Sequence, residues 1–496
     1  MFFTDDLLLA YKRCSRRSFL HLYGDRSQQD PERGFVVKLR QENQQQVTAL
    51  LAGRSFQEPE ASPKQWRERA AQTCHLMQAG VDCIYRGVLA QTVALSTLLL
   101  DRAGEVTLVA TPTLLLKQPG DSIFGPWCYE PANVKLGRRP KPEYKVVAAY
   151  HAQLLAWLQD SEPGTARLFL RQQPRPYDVN LETWLPRMTE TMQGCLQMLV
   201  AAREPEVFIS RQRCGLCRWH SSCYAIAKQS RHLSLLPGIT PSRYAVLQEL
   251  KIETVEAVAL APAYLLSEHF GRNVALQLVQ QAQSTVHQTA MVRSSLQPSQ
   301  IPAVTPPTAS VELYFDIEAE PDRNLDYLLG VLVVDRTQAR EEFLAFLAEA
   351  PEEEERIWQE FLALTRQYPQ APIFHYSEYE IEAVSKLARR YATPPEQLKA
   401  LLARFVDLHY QATAAVTLPV ESYSLKALAQ WLGFAWRNPE ASGEQSVWWY
   451  HRWLETGDRQ LLDAIVHYNE DDCRATFHLK EWLTDFLGQQ QLVANG

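Results

Sequence analysis

The chain has 496 residues, too many for one hydrophobic core, and a prior of about 150 residues per domain suggests about three domains. Hydrophobic residues make up 46% and charged residues 22%, which is ordinary for a soluble globular protein. The net charge of −7 argues against a globally basic nucleic-acid coat but leaves room for a local basic groove.

No secretory signal or membrane span is predicted. The N-terminus, MFFTDDLLLAYKRC, has acids before its short apolar run, the reverse of a secretory signal. The longest apolar stretch is interrupted by polar residues and falls short of the about 18 residues that a membrane span needs. We therefore expect a cytoplasmic protein with no membrane partner, whose nine cysteines are thiols or metal ligands.

Residues 1–230 are predicted to form a mixed α/β segment. Apolar spacing over 5–23 predicts one helix, with basic residues around Cys14. Strand patterns follow in 105–117 and 124–137, and a helical pattern covers 144–158.

This order resembles the PD-(D/E)XK restriction-endonuclease-like core of RecB-type nucleases. The family pattern runs G-x-P-D-L, then Y-E-P-x-D-x-K, then a helix with a Gln and a Tyr. Thr113, in A-T-P-T-L, stands at the position of the first acid, and Asn133, in Y-E-P-A-N-V-K, at that of the second. Lys135 and Tyr150 are retained, whereas Val146 replaces the helix Gln.

The chemistry of that family needs acids to hold a metal, and Thr and Asn are poor substitutes for two carboxylates. We therefore expect that this domain keeps the fold and has lost the activity. The alternative is a different alignment in which nearby Glu130 or Asp121 serves, which would allow endonuclease activity in this half.

The sharpest motif in this half is RCGLCRWHSSCY, which gives Cys214-x2-Cys217-x5-Cys223. Three thiolates on one loop can hold a soft metal if a fourth ligand comes from elsewhere, and Cys14 is the candidate. One Cys before the nuclease core and three after it resemble the RecB-type nucleases related to AddB and to the CRISPR-adaptation nucleases. That resemblance implies a [4Fe–4S] cluster; a zinc site using His220 or four Cys, and free thiols, are the alternatives.

Residues 231–290 read as helix, Pro-Gly turn, helix, short turn and helix, and resemble a small helix-hairpin-helix domain. Such units bind backbone phosphate through hairpin amides and helix N-termini. Gly238 is the one hairpin glycine present, since Lys251 stands where a second is expected, and packing between the larger domains is the alternative. Residues 291–310, with four prolines among Ser, Thr and Gln, predict an extended linker.

The stretch VELYFDIEAE, over 311–320, alternates apolar residues as a half-buried strand does. Asp316 and Glu318 stand two positions apart, so they point to the same face. Like charges this close raise each other's pKa unless a cation lies between them, and a divalent cation with oxygen ligands is the usual solution. The alternative is an acidic edge strand facing water.

Further acids follow. Glu380, in HYSEYE, falls at a strand end or helix start. In AIVHYNEDDCRAT, over 464–476, Tyr468 and Asp472 lie at i and i+4 on one helix face. Carboxylates from separate elements that converge on one point describe a two-metal phosphodiester site.

F-D-I-E, an acid in Y-x-x-Y-E and then Y-x-x-x-D resemble the DEDDy branch of the 3′–5′ exonucleases, which have an RNase-H-like fold. The segment 423–434, after Asp407, is a further likeness. The resemblance implies an RNase-H-like domain over 311–496, with Tyr468 orienting the attacking water. It also implies that two Mg²⁺ or Mn²⁺ ions are held by four acids, namely Asp316, Glu318, Glu380 and Asp472. The family usually has Asp where this chain has Glu380, and Asn where it has Tyr376.

The whole order resembles a RecB-like nuclease family with an appended RNase-H-like domain of the YprB type, which implies an α/β multidomain protein. We predict a metal-dependent 3′–5′ exonuclease acting on DNA or RNA, at single-stranded 3′ ends, with the N-terminal domain as a nucleic-acid clamp. The alternative is a non-catalytic nucleic-acid-binding or assembly protein in which both nuclease folds are degenerate.

Overall fold

The structure is a computed structural model that describes residues 1–98 and 102–495. The chain divides into two compact units, Met1–Ile226 and Ala227–Gly496, and both are mixed α/β. Within the described residues, none of the helices combines the length and apolar character that crossing a membrane requires.

The strands of the first unit are β1 (Phe2–Thr4), β2 (Cys83–Tyr85), β3 (Leu89–Ala94), β4 (Glu105–Ala110), β5 (Leu114–Ser122), β6 (Gly125–Lys135), β7 (Ala166–Leu170) and β8 (Tyr177–Val179). Its helices are α1 (Asp5–Arg13), α2 (Ser15–Tyr23), α3 (Gly34–Leu51), α4 (Trp66–Gln78), α5 (Pro142–Gln159), α6 (Leu181–Val200), α7 (Arg211–Cys214) and α8 (His220–Gln229), the last of which spans the boundary.

Two sheets form the framework of the first unit. A three-stranded sheet has the order β1-β4-β3, and a five-stranded sheet has the order β2-β5-β6-β7-β8. In the larger sheet β6 and β7 run parallel and the other neighbours run antiparallel. A parallel pair needs a crossover connection, and α5 provides it.

Helix α5 confirms the helix that the sequence predicts over 144–158. It begins at Pro142, whose fixed φ suits the first helical position, and Asp160 ends it in the left-handed conformation at φ 49°. Its side chains Tyr150 and Leu154 are fully buried against the sheets, so the helix is held by its apolar face.

The prediction of one helix over 5–23 is wrong at its middle. The backbone of Cys14 is extended, with φ −164° and ψ 118°, so α1 ends before it and α2 begins after it. The two helices pack together, and Ser18 Oγ donates a hydrogen bond to the Leu7 carbonyl at 3.0 Å. Because both helices bury apolar residues at helical spacing, the periodicity does not reveal the break between them.

The strands of the second unit are β9 (Met291–Val292), β10 (Val311–Glu320), β11 (Leu325–Asp335), β12 (Arg340–Leu347), β13 (Ile373–His375), β14 (Phe405–Asp407) and β15 (Val416–Thr417). Its helices are α9 (Pro241–Glu249), α10 (Val255–Leu260), α11 (Ala263–Phe270), α12 (Arg272–His287), α13 (Ile301–Val304), α14 (Glu354–Gln367), α15 (Tyr379–Arg390), α16 (Pro395–Leu402), α17 (Leu408–Ala415), α18 (Leu425–Trp431), α19 (Gly443–Thr456) and α20 (Arg459–Asn495). Short 3-10 turns cover Arg26–Gln28, Leu95–Leu98, Leu233–Leu235, Pro298–Gln300 and Pro351–Glu353.

The central sheet of the second unit has the order β12-β11-β10-β13-β14. Strand β10 has the predicted bounds and is the central strand, antiparallel to β11 and parallel to β13. It is not half-buried as predicted, because both of its faces are covered. Leu313 and Phe315 pack into the cluster that includes α14 and α15, while Tyr314 packs into the cluster that includes α17 and α20. Helices cover both faces of the sheet, and one of these faces carries the acids.

The segment 231–290 is helical, as the sequence predicts. Gly238 has φ 89° and Lys251 has φ 58°, so both positions adopt the left-handed conformation that favours glycine. Lys251 therefore holds the backbone conformation of the missing hairpin glycine without the freedom that a glycine would give.

The segment 291–310 is not the extended linker that its composition indicates. Strand β9 pairs with β15, and α13 buries Ile301 in the same cluster as Tyr314. The short pairing with the distant strand β15 and one buried apolar side chain therefore outweigh the tendency of the prolines to extend the chain.

Candidate functional site

Strand β10 carries two of the predicted acids on one face. Asp316 and Glu318 alternate with Phe315 and Ile317, so both carboxylates point away from the α14 side of the sheet. The pairing of β10 with β11 shifts register between Glu318 and Ala319, immediately after the second acid. Such irregularities bend a strand and often re-aim a side chain beside an active site.

Helix α20 brings the third acid to this face. One carboxylate oxygen each from Asp316, Glu318 and Asp472 lies within 4.8 Å of the others, and we call these three residues the acid triad. The helix approaches closely because the strand opposite it has a glycine. Asn469 lies against Gly330, and the Cys473 thiol donates to the Gly330 carbonyl at 3.5 Å.

Burial and mutual repulsion raise the pKa values of the triad. Burial is the largest cause for Asp316 and Glu318, followed by the charge of Asp472, and it raises the pKa of Asp472 to about 7. The hydrogen-bond partners of the triad are neutral side chains, namely Asn469, Ser446, Trp436 and Tyr468. Buried carboxylates this close, with neutral partners, form a set whose charge a divalent cation would balance.

Glu380 lies beside the triad without being part of it. It is the second residue of α15, and its charge contributes to the raised pKa of Asp316. Its Oε2 lies 3.4 Å from His375 Nδ1 and 3.5 Å from Ser377 Oγ. Burial raises the pKa of Glu380, while the His375 contact opposes that shift. The structure thus brings three of the four predicted metal ligands together and leaves the fourth nearby.

The turn that leads to Glu380 has a strained backbone and is held by a hydrogen bond to Asp407. Ser377 has φ 107°, a value that L-residues rarely adopt. Its backbone N–H donates to Asp407 Oδ1 at 3.2 Å, and the same carboxylate caps α17 by accepting from the His409 and Tyr410 N–H groups at 2.8 and 3.1 Å. Asp407 therefore fixes the corner between β13 and α15.

Tyr468 lies one helical turn before Asp472, as the sequence predicts. Its hydroxyl donates a hydrogen bond to the Asp472 carboxylate, and burial with the charges of the triad raises its pKa well above the ordinary value. The side chain is therefore a neutral phenol throughout the physiological pH range, beside the carboxylates.

Several residues that build the site were missed from the sequence. Asn469 Nδ2 donates to Asp316 Oδ2 at 2.6 Å, and Trp436 Nε1 donates to Asp472 Oδ1 at 2.7 Å. Asn469 is three residues before Asp472, so helical spacing would have placed it on the same face. No local pattern points to Trp436, because a connecting segment before α19 carries it to α20.

The four predicted cysteine ligands line one cavity of the first unit. Cys14 reaches it from the break between α1 and α2, and the other three reach it from α7, the turn after it and α8. Ser210 N–H donates to Cys214 Sγ at 3.3 Å. Four arginines also line this cavity, namely Arg13, Arg16, Arg17 and Arg213.

The positions expected to be catalytic in a PD-(D/E)XK core do not form an acidic site. Thr113 Oγ1 accepts from the Val134 N–H at 3.2 Å, and Asn133 is 2% exposed inside the sheet. The alternative acid Glu130 forms a salt bridge with Arg167 at 2.9 Å. Burial lowers the pKa of Lys135, which remains at the end of β6.

Comparison with known proteins identifies a related family for part of the second unit. Residues 313–484 match a family model of the RNase H superfamily, so the C-terminal part of the chain is an RNase-H-like domain. Nuclease activity on nucleic acid, with divalent metals, is general in that superfamily. No curated protein and no solved structure matches the chain significantly.

Proposed function

We propose that the RNase-H-like domain is a metal-dependent 3′–5′ exonuclease that acts on single-stranded 3′ ends of DNA or RNA. The observation that carries this proposal is the acid triad, with the Tyr468 phenol bonded to Asp472. The match over 313–484 supports a nuclease-type activity, and the polarity rests on the resemblance to the DEDDy exonucleases.

The residues fit divalent ions. Two Mg²⁺ or Mn²⁺ ions, held by the triad together with Glu380, would activate water and stabilise the leaving oxygen of a phosphodiester. Oxygen ligands are what such hard cations prefer, and the raised pKa values show that burial and mutual repulsion outweigh the charge of Lys426 beside Asp472.

The protein's own groups have distinct tasks in this proposal. Tyr468 stays protonated, so its hydroxyl can orient a water beside Asp472. Asn469 fixes Asp316, and the hydrogen bonds from Trp436 and Tyr468 fix the Asp472 carboxylate. Asp407 and the strained Ser377 corner hold the start of α15, which sets the place of Glu380.

The test uses a 5′-labelled single strand with Mn²⁺. We expect the wild-type protein to shorten it from the 3′ end, and Asp316→Asn to abolish the shortening. Asp463→Asn, an exposed acid on the same helix as Asp472, and Lys135→Ala should leave it intact. Full activity of Asp316→Asn would show that the triad is not the active site.

The second candidate is a non-catalytic nucleic-acid-binding or assembly protein. Thr113 and Asn133 favour it for the first unit, because neither offers a carboxylate. If this second function is correct, the wild-type protein binds a single strand in Mn²⁺ without shortening it, and the same assay measures the absence of shortening.

For the remaining chain we propose a PD-(D/E)XK-type domain over 1–230, which clamps nucleic acid, and a helix-hairpin-helix-type domain over 231–290. A [4Fe–4S] cluster bound by Cys14, Cys214, Cys217 and Cys223 would join the two ends of the first. Four sulfur atoms that bind one zinc ion at about 2.3 Å must lie close together. Among the described residues, no three cysteines have their sulfur atoms within 4.8 Å of one another, which favours a larger cluster over a single zinc ion. The arginines of the cavity would balance the negative charge of a thiolate-bound cluster.

A further inference from the structure

A row of aromatic rings and basic side chains follows the surface of α5, β8 and α6. Lys141 Nζ lies 6.0 Å from the centre of the Tyr144 ring, on the same helix start. Lys145 Nζ lies 4.9 Å from the Tyr177 ring and 5.2 Å from the Trp184 ring, so it stands between β8 and α6. We call the row, which ends with Arg187, the aromatic–basic surface; it consists of Lys141, Tyr144, Lys145, Tyr177, Trp184 and Arg187.

The side chains of the aromatic–basic surface are connected to one another by cation–π contacts. Arg187 Cζ lies 5.0 Å from the Trp184 ring, on the side of α6 one turn further along. Four cation–π pairs join these side chains, three of them in succession from Tyr177 through Lys145 and Trp184 to Arg187. The rings themselves are anchored, because Tyr144, Tyr177 and Trp184 pack against a buried cluster of α5, β7 and β8.

The charge at the start of this surface opposes that of the whole chain. Residues 138–145 contain four Lys or Arg side chains and one Glu, in a protein of net charge −7. That acid, Glu143, lies 3.7 Å from Arg13, and Asp178 beside Tyr177 lies 3.6 Å from Arg167. Glu182, in the first turn of α6, is an exposed acid nearby. Basic side chains are therefore concentrated along 138–145, where this surface begins, which suits a polyanion.

The geometry points to a binding surface for single-stranded nucleic acid, which contacts the phosphates of the strand and not its sugars. Rings that hold ammonium and guanidinium groups in place lower the entropy cost of pairing them with phosphates. Half-exposed aromatic rings beside basic side chains are the combination that sequence-tolerant single-strand binding uses. This inference rests on the proposed nucleic-acid substrate and assigns the clamp to named residues.

The test measures binding of the full-length Asp316→Asn protein, which should not degrade the probe. Fluorescence anisotropy with labelled dT20 and rU20 is recorded over a salt series. We expect Lys145→Gln with Arg187→Gln to weaken binding of both strands by at least about tenfold. Each lost phosphate contact changes the slope of log Kd against log salt by about 0.7, so the slope should fall by about 1.4. The charge-matched pair Arg54→Gln with Lys64→Gln, both exposed elsewhere on the first unit, should bind as the parent does.

Unchanged affinity in the Lys145/Arg187 variant would overturn the inference, and so would competition by polyglutamate as strong as by dT20. Failure of the proposed nuclease is a separate result, because it is read from strand shortening by the wild-type protein. Binding that depends on Lys145 and Arg187 without shortening would keep the surface and remove the nuclease. Shortening with unaltered binding in that variant would do the reverse.

Discussion

The Asn469 side chain links Asp316 to the strand beside it. Its Nδ2 donates to Asp316 Oδ2 at 2.6 Å, and its Oδ1 lies against Gly330, the residue paired with Asp316 across β10 and β11. A Cβ at position 330 would lie 1.6 Å from that oxygen. One amide on α20 thus sets both the rotamer of an acid and the closeness of the helix to the sheet.

We therefore predict that Gly330→Ala displaces α20. Because Asn469 is fully buried, it has no room to yield, and overpacking of this kind costs about 1–3 kcal/mol of the free energy of unfolding. Nuclease activity should fall at least about a hundredfold, since a misplacement of about 1 Å is enough for that loss. Denaturant unfolding and the strand-shortening rate measure the two effects.

Gly488→Ala is the matched control, because it lies on the same helix with open space around its Cβ position. A helix-interior Gly→Ala change should stabilise by up to about 1 kcal/mol and leave the nuclease rate unchanged. Wild-type stability and rate in Gly330→Ala would contradict the close approach of α20.

The sequence predicts those parts of the site that follow one element's spacing. Asp316 and Glu318 share a face because strands alternate, and Tyr468 with Asp472 share a face because helices repeat. Trp436 and Ser446 escape prediction, because their partners depend on how separate segments fold over the sheet. The same reason explains why Glu380 is assigned to the metal ligands from its motif, yet lies next to the triad instead of within it.

Longer-range packing also explains the errors in the fold. Strand β10 is buried on both faces because β11 and β13 flank it and helices cover it, which an alternating pattern alone does not indicate. The break at Cys14 follows from two short helices packing together, each with a normal helical pattern. Segment 291–310 is drawn onto the second unit by the buried side chain of Ile301.

Ser377→Gly should stabilise the protein. Glycine adopts φ 107° without the steric cost that Ser377 carries, and relief of such strain is worth about 1–3 kcal/mol. The backbone N–H that donates to Asp407 remains, so the corner and the nuclease rate should be kept. Ser377→Ala is the control: it removes the same hydroxyl but keeps the strain, and equal stabilisation of both variants would show that φ is not the cause.

Metal-free protein should lose stability as pH rises from about 4 to about 7. Burial raises the pKa of Asp472 from 3.8 to about 7, so in this window the folded state keeps a proton that the unfolded chain has released. Below 3.8 both states are protonated, and the stability is fully present. Melting curves in EDTA from pH 4 to 8 measure the loss, and Asp472→Asn should reduce it.

Divalent ions should reverse this loss, because they bind ionised carboxylates. The rise in Tm on adding Mn²⁺ should be larger at pH 8 than at pH 5, and Asp472→Asn should diminish it. An equal Tm rise at both pH values in wild-type and variant proteins would mean that Mn²⁺ binds elsewhere.

Tyr468→Phe should slow strand shortening by about a hundredfold, in the range for groups that orient or activate water, with little change in KM. Burial keeps the pKa of the phenol high, so the wild-type rate should not fall through ionisation of Tyr468 below pH 10. The fold should persist, because the ring stays. Tyr264→Phe, at a residue 73% exposed on α11, is the control, and an equal rate in both variants would remove Tyr468 from the mechanism.

Protein purified without oxygen should be brown, with absorbance near about 400 nm and bound iron, if the cysteine cavity holds an iron–sulfur cluster. Cys14→Ser should lose the colour even though Cys14 lies far from the other three in sequence, because all four thiols line one cavity. It should also lower the Tm, since the cluster would tie the α1–α2 break to the segment around α7 and α8. Cys74→Ser, outside that cavity, should keep colour and iron. Zinc in place of iron, or colour that survives Cys14→Ser, would overturn the cluster assignment.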